Sequence, residues 1–305
     1  MNDRVRVACA QVEPVIFDRA ATIDKLASVA GEVAAGGARL VLFPETFVPV
    51  YPSSRWARAL AVWGEGGKEL WARLAREAVK VPSAETEKIG AVAKKHALVL
   101  AVGVNELDGG TLYNTLLVFN EDGELALSHR KLMPTNHERM VWGLGDGKGL
   151  ETIDTGFARV GGLICWENLM PLARAALYES GVEVYLAPTA DDSESWLESV
   201  RHIAREARAF VISSCVFQRA SSYPADVPIA DGADLLGRGG SAIVAPNGEY
   251  LAGPLWDEEG ILYADLDPQV LYEERQRFDP AGHYARPDVL RLQVQPITRG
   301  FAEPE

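Results

Sequence analysis

Short apolar runs alternate with amphipathic helical segments along this chain, and that alternation limits the folds available to it. Arg4–Gln11 alternates in side-chain character as a strand does, and residues 19–35 carry apolar side chains at helical spacing before an Ala-Gly-Gly stop signal. Both patterns recur towards the end of the chain. Further strands are predicted at Arg39–Phe43, Ala97–Val104, Ala158–Cys165, Glu183–Ala187, Phe210–Gln218 and Gly260–Leu266, and further helices at residues 83–96, 170–180, 193–207 and from Pro268.

Two predicted hairpins, one in each half of the chain, interrupt this alternation. Leu112–Asn120 and Glu124–Arg130 flank a Glu-Asp-Gly turn, and Gly240–Ala245 and Glu249–Gly253 flank Pro-Asn-Gly. No Pro-, Gly- or Ser-rich linker divides the 305 residues. We therefore predict one α/β domain in which two sheets pack face to face with helices outside, a four-layer α-β-β-α sandwich. Residues 48–82 resist assignment and are predicted to form a binding loop.

Charge and composition argue against two classes of partner, nucleic acid and membrane. The formal net charge is −13, so the surface repels phosphate backbones and we expect no nucleic acid as a partner. No apolar run approaches the roughly 20 residues that a membrane-spanning helix needs, so we expect no membrane partner. The first strand pattern begins almost at once, without the apolar stretch of a signal peptide, which favours a cytoplasmic protein.

Cys165 is the strongest candidate nucleophile among the three cysteines. It ends an apolar run and precedes a predicted helix, so it lies where a strand turns sharply into a helix. Such a turn projects a side chain clear of the sheet and leaves backbone N–H groups free to bind developing negative charge. Cys9 and Cys215 lie inside strand patterns and fit core cysteines better. The cysteines and the five histidines show neither a disulfide framework nor metal-ligand spacing, so we predict no metal site.

Three charged residues could assist a thiol nucleophile. Glu45 ends a buried run, where desolvation raises the pKa of a carboxyl group and suits it to accept and return a proton. Lys131 follows the first hairpin, where an inward ammonium would lower the pKa of a thiol and stabilise an oxyanion. Glu138 is a second carboxylate that could face inward. Each could instead be a solvated surface charge. Spacing alone does not show that residues 45, 131 and 165 meet in the folded protein.

These residue types together supply what cysteine attack on a carbon–nitrogen bond requires. The reaction needs a thiolate, a proton carrier for nitrogen and water, and a positive charge where negative charge develops. Cysteine, glutamate and lysine fill those three roles without histidine or metal. No histidine of this sequence has a better position than Glu45 for the role of base.

Three segments, in order, resemble the nitrilase superfamily of carbon–nitrogen hydrolases. They are Leu42-Phe43-Pro44-Glu45, Arg130-Lys131-Leu132-Met133-Pro134-Thr135 and Gly162-Leu163-Ile164-Cys165-Trp166-Glu167-Asn168. The resemblance implies an α-β-β-α sandwich with a triad of Glu45 as general base, Lys131 as stabilising cation and Cys165 as nucleophile. It also implies one carbon–nitrogen hydrolase domain over residues 1–290, followed by a short C-terminal tail at residues 291–305.

Finer features are similar to the nitrilase branch of that superfamily. They are Cys165-Trp166-Glu167-Asn168, the run from Glu138 to Gly147 and the run from Phe278 to Asp288. The resemblance implies hydrolysis of a small organic nitrile to the carboxylic acid and ammonia, through a thioimidate and an acyl-enzyme on Cys165 and without a cofactor. It implies that Glu138 positions substrate and catalytic water. It also implies a homodimer or a larger homo-oligomer, with a tail too short to favour extended filaments.

Two alternatives stay open at this point. An amidase or N-carbamoyl hydrolase of the same superfamily would use the same triad on an sp² carbon, and a catalytically silent binder of small molecules could keep the same fold. The substrate is also open, because aromatic walls hold aliphatic chains as well as aryl groups. Candidates for the pocket wall, each of which could instead pack in the core, are Tyr51, Trp56, Thr135, Trp142, Trp166 and Trp196.

Overall fold

Residues 1, 3–62, 64, 66–230 and 232–295, which the computed structural model describes, form two β-sheets and the helices that cover them. The strands are β1 (Val5–Gln11), β2 (Leu40–Leu42), β3 (Val99–Asp108), β4 (Thr111–Phe119), β5 (Leu125–Arg130), β6 (Ile153–Asp154), β7 (Arg159–Gly162), β8 (Val184–Leu186), β9 (Phe210–Ser213), β10 (Phe217–Arg219), β11 (Leu235–Val244), β12 (Tyr250–Trp256) and β13 (Gly260–Leu266). The helices are α1 (Arg19–Ala35), α2 (Ser54–Ala57), α3 (Gly67–Glu77), α4 (Ala84–His96), α5 (Pro171–Glu179), α6 (Glu194–Ala207) and α7 (Pro268–Arg277).

Each sheet has parallel strands at its centre and antiparallel strands beside them. The first sheet has the order β13-β1-β2-β3-β4-β5, in which β1, β2 and β3 are parallel. The second has the order β10-β11-β9-β8-β7-β6, in which β7, β8 and β9 are parallel and β12 pairs with β11. The antiparallel pairs β4–β5 and β11–β12 are the two predicted hairpins, and both predictions are confirmed.

The alternation of β1 explains why the two sheets face each other. Val7 and Cys9 point into the apolar layer between the sheets, where they meet Val184 and Leu186 of β8. Ala8 points the other way, into the layer that helices α1 and α4 cover. Helices α5 and α6 cover the outer face of the second sheet in the same manner. The layers therefore run helix, sheet, sheet, helix, and the predicted α-β-β-α sandwich is confirmed.

The prediction that one strand runs from Ala158 to Cys165 is wrong at its end. Strand β7 ends at Gly162, and Cys165 begins a 3-10 turn over Cys165–Leu169 with φ at +52°. The Cys165 N–H bonds to the carbonyl of Pro188 at 2.8 Å, beyond the end of β8. The candidate nucleophile therefore lies on a turn after the strand. Its backbone is in the left-handed region, which residues other than glycine rarely adopt.

Two other predicted boundaries change for physical reasons. The predicted strand Phe210–Gln218 divides into β9 and β10, because the residues between them bond to Thr189 through Val216 N–H and the Ser214 carbonyl. Residues 48–82 are not a long irregular loop, since they contain α2 and α3. Trp56 of that region is fully buried, and its indole N–H donates to the Tyr223 hydroxyl at 3.2 Å.

The C-terminal region lies beyond the last regular element. After α7 the chain turns through residues 279–290, and the backbone near Gln295 lies close against Gly147. Residues 296–305, most of the predicted tail, lie outside the described residues, and the boundary at residue 290 stays a prediction. No helix in the described part of the chain is long and apolar enough to cross a membrane.

Candidate active site

Glu45 is held at the end of β2 by close packing against β3. A Cβ at Gly103 would come within 2.8 Å of Glu45 Cα and even closer to Thr46 N and Pro44 O, so this approach requires glycine. The Glu45 side chain is fully buried. Its Oε1 accepts hydrogen bonds from Lys131 Nζ at 2.8 Å and Asn114 Nδ2 at 2.7 Å. Its Oε2 has no hydrogen-bond partner among the residues that the structure describes, which leaves that oxygen free to accept a proton.

Lys131 joins two buried carboxylates. It follows β5 directly, and its Nζ donates to Glu45 Oε1 at 2.8 Å and to Glu138 Oε2 at 2.7 Å. Glu138 lies on the 3-10 turn Asn136–Met140, and its Oε2 also accepts from the backbone N–H of Thr135 at 2.6 Å. The Tyr51 hydroxyl donates to Glu138 Oε1 at 2.8 Å. The structure thus brings together Glu45, Lys131 and Glu138, all three of which the sequence analysis singled out.

Cys165 belongs to the same site, although it comes from the second sheet. Its side chain is buried, and the Thr189 hydroxyl lies 3.2 Å from its sulfur. Burial and the negative charge of Glu45 raise the pKa of the Cys165 thiol, and the positive charge of Lys131 lowers it. These effects require proximity, so the thiol shares its surroundings with the Glu45–Lys131 pair.

Burial and the neighbouring charges have opposing effects on the pKa values of Glu45 and Lys131. Burial raises the pKa of Glu45 to about 7, against the lowering effect of Lys131 and with a further raising effect of Glu138. Burial alone would lower the pKa of Lys131, but the negative charges of Glu45, Cys165 and Glu138 outweigh it, so that pKa lies above its usual value. Lys131 is therefore a fixed cation, and Glu45 titrates in the range that suits a general base.

Four of the predicted wall residues lie around this cluster. Lys131 Nζ is 5.9 Å from the ring centroid of Trp142, and the rings of Tyr51 and Trp142 are 6.0 Å apart. Thr135 begins the turn that carries Glu138. Trp166 follows Cys165 directly, is 48% exposed, and donates from its indole N–H to Asp191 Oδ2 at 2.7 Å. These placements are compatible with a substrate wall, which stays a proposal.

Trp196 lies apart from these residues. Its ring is buried between α6 and the outer face of the second sheet, in the layer that contains Val200 and Ile203. Its indole N–H donates to Ser213 Oγ at 2.9 Å. Trp196 thus occupies a core position, and the proposed pocket does not include it. Trp56 likewise belongs to the core.

The roles of three residues of the site were not predicted from the sequence. Asn114, which positions Glu45, interrupts an apolar strand, and a buried amide in such a strand was the available signal. Glu167 accepts from the backbone N–H of Leu132 and, at 2.8 Å, of Ile164, so it ties the Lys131 segment to the Cys165 segment. Thr189 contacts the sulfur, and its position just after β8 was the only sequence signal.

Comparisons with known proteins agree with this fold. Residues 6–276 match the carbon-nitrogen hydrolase family. The chain is 44% identical over 295 residues to an aliphatic nitrilase of Sinorhizobium fredii strain HH103, covering 95% of this chain and 96% of that protein. It is 42% identical over 299 residues to nitrilase 1 of Arabidopsis thaliana, covering 95% and 86% respectively. Its fold is similar to that of a carbon-nitrogen hydrolase from Helicobacter pylori G27, with a TM-score of 0.73, 23% identity and coverage of 93% and 96%.

The four-layer sandwich and its buried site define a hydrolytic enzyme. The chain belongs to the carbon-nitrogen hydrolase family.

Proposed function

We propose that this enzyme is a nitrilase, which hydrolyses an organic nitrile to the carboxylic acid and ammonia with Cys165 as nucleophile. The observation that carries the proposal is a buried lysine bonded to two buried carboxylates beside a thiol, with one oxygen of Glu45 left free. The 44% identity to an aliphatic nitrilase and the 42% identity to a plant nitrilase support a nitrile as the substrate.

The first stage of the proposed reaction forms a covalent bond to sulfur. Glu45 Oε2 accepts the Cys165 proton as Sγ attacks the nitrile carbon, and the proton passes to the nitrile nitrogen to give a thioimidate. Glu45 then takes a proton from water, which adds to the same carbon. The resulting tetrahedral intermediate is stabilised by the Lys131 ammonium and by the backbone N–H of Trp166.

The second stage releases the products. Glu45 returns a proton to nitrogen, the hydroxyl group of the intermediate transfers its own proton to nitrogen through Glu45, and the carbon–nitrogen bond breaks to release ammonia and leave a thioester on Cys165. A second water, activated by Glu45, hydrolyses the thioester to the carboxylic acid and restores the thiol. Glu138 holds Lys131 in place through its Oε2 and borders the space where substrate and water would bind. Each nitrile therefore consumes two waters, and the proposed roles require no cofactor.

Ammonia release from a panel of nitriles and their matching amides tests the proposal. We expect turnover of nitriles, loss of turnover in Cys165→Ala and retention in Cys9→Ala, which removes a buried thiol in β1 outside the site. Intact mass after brief exposure to substrate should show an adduct on the wild type and none on Cys165→Ala. Turnover of amides alone would instead identify an amidase of the same family, and no turnover of either would favour a silent binder.

The homodimer and the cytoplasmic location expected from the sequence stay predictions. Light scattering coupled to size-exclusion chromatography measures the mass of the assembly directly. A mass equal to one 33.1 kDa chain would contradict the expected dimer.

A further inference from the structure

The turn that carries Cys165 lies against the segment that follows β8, and two contacts join them. Cys165 N–H donates to the Pro188 carbonyl at 2.8 Å, and Thr189 Oγ1 lies 3.2 Å from Cys165 Sγ. Thr189 is itself fully buried, and its backbone N–H and carbonyl bond to Ser214 and Val216. The Thr189 hydroxyl is therefore held in a fixed place beside the sulfur.

The direction of the hydroxyl–sulfur contact follows from the other bond that the hydroxyl makes. A threonine hydroxyl has one hydrogen to donate and two lone pairs that accept. The backbone N–H of Asp191 donates to Thr189 Oγ1 at 2.9 Å, which uses one lone pair and leaves the hydrogen available. A thiolate can only accept, so once Cys165 loses its proton this hydrogen bond runs from Thr189 to sulfur.

We propose that Thr189 is a further catalytic residue, whose hydroxyl donates a hydrogen bond to the Cys165 thiolate as it forms. This rests on the proposed role of Cys165 as nucleophile, and it holds whether the substrate is a nitrile or an amide. Asp191 has a supporting part, because its N–H directs the hydroxyl hydrogen towards sulfur.

The surroundings of Cys165 explain why such a donor matters. Burial and the negative charges of Glu45 and Glu138 raise the pKa of the thiol, whereas Lys131 and Thr189 lower it. The Lys131 ammonium is also shared between two carboxylates, at 2.8 and 2.7 Å. The Thr189 hydroxyl is aimed at sulfur alone, and a hydrogen bond to the charged form of a group favours that form.

The rate of Cys165 alkylation by iodoacetamide as a function of pH tests the proposal without any substrate. Peptide mass mapping identifies the labelled cysteine, and Cys165→Ala provides the blank. Thr189→Val keeps the side-chain shape and removes the hydroxyl. We expect it to slow alkylation about tenfold at every pH below the midpoint, which corresponds to a rise of about one unit in the pKa of the thiol. Thr189→Ser keeps the hydroxyl and should keep the wild-type rate.

Two outcomes separate this role from a structural one. A folded Thr189→Val protein that is alkylated at the wild-type rate would overturn the proposal, even if its unfolding temperature were lower. If valine disturbs the circular dichroism spectrum, Thr189→Ala is the second variant, with the same expected loss of rate and the same contrary outcome. Slower alkylation in an enzyme that hydrolyses no nitrile would reject the nitrilase assignment alone, and active nitrile hydrolysis with an unchanged alkylation rate would reject the Thr189 role alone.

Discussion

Lys131 Nζ lies 2.8 Å from Glu45 Oε1, and solvent reaches almost none of either side chain. Removing one partner of a buried ion pair leaves an uncompensated charge, so we expect Lys131→Met to lower the free energy of unfolding by roughly 3–5 kcal/mol. The double variant Lys131→Met/Glu45→Gln should recover part of that loss while staying inactive. Urea unfolding and ammonia release measure the two effects, and equal instability of the single and double variants would contradict a direct coupling.

The dependence of activity on pH should report the ionisation of Glu45. Because the base must be deprotonated to accept the thiol proton, kcat/KM should fall below a pKa of about 7, to which burial raises the pKa of Glu45. The loss therefore occurs as pH decreases, and activity is restored as pH rises through that value. A profile of initial rates checks this, and an acidic limb near the ordinary glutamate value of 4.5 would count against Glu45 as the base.

Two neighbours of Glu45 should move that acidic limb in opposite directions. The charge of Glu138 raises the pKa of Glu45, so Glu138→Gln should shift the limb to lower pH. The Asn114 hydrogen bond lowers the same pKa, so Asn114→Ala should shift the limb to higher pH. Both variants should also have a lower kcat. Shifts in the same direction would show that general disturbance of the site, rather than charge and hydrogen bonding, controls the profile.

Glu167 should stabilise the site without touching the sulfur. Its two oxygens accept backbone N–H groups from Leu132 and Ile164, and Glu167→Gln replaces one acceptor with an NH₂ group that faces an N–H. Hydrogen bonds to charged groups contribute roughly 1.5–3 kcal/mol, so we expect a loss of about that size in urea unfolding. Glu198→Gln, at an exposed position on α6, is the matched control and should unfold like the wild type.

Substrate preference should separate Trp142, which lies near Lys131 and Tyr51, from Trp196, which does not. Trp142→Phe changes a ring within 6.0 Å of Tyr51 and 5.9 Å of Lys131 Nζ, so it should alter the ranking of nitriles by kcat/KM. Trp196→Phe removes the bond to Ser213 and should cost about 1 kcal/mol of stability while leaving that ranking unchanged. A changed ranking of nitriles in Trp196→Phe would show that Trp196 contributes to the substrate pocket.

The layers could be predicted because strand ends and helix periods are signals that are local in sequence. Glu45, Lys131 and Cys165 each follow a strand or a short apolar run, but spacing alone did not bring them together, and only the resemblance to a family implied that they meet. Asn114 and Thr189 were missed because their roles depend on side-chain contacts with residues 69 and 24 positions away in the chain, which no local pattern shows. The core position of Trp196 could have been predicted from the helical period. Trp196, Val200 and Ile203 share the buried face of α6, a spacing that indicates core packing.

The pairing of β1 with β13 has a consequence for how the protein is made. Val5 lies opposite Leu266, so during synthesis one edge of β1 has no partner until nearly the whole sandwich has left the ribosome. An unpaired strand edge invites pairing with another chain, and five of the seven residues of β1 are apolar. We therefore expect that shortening the chain before Gly260 favours aggregation in the cell over a smaller folded protein.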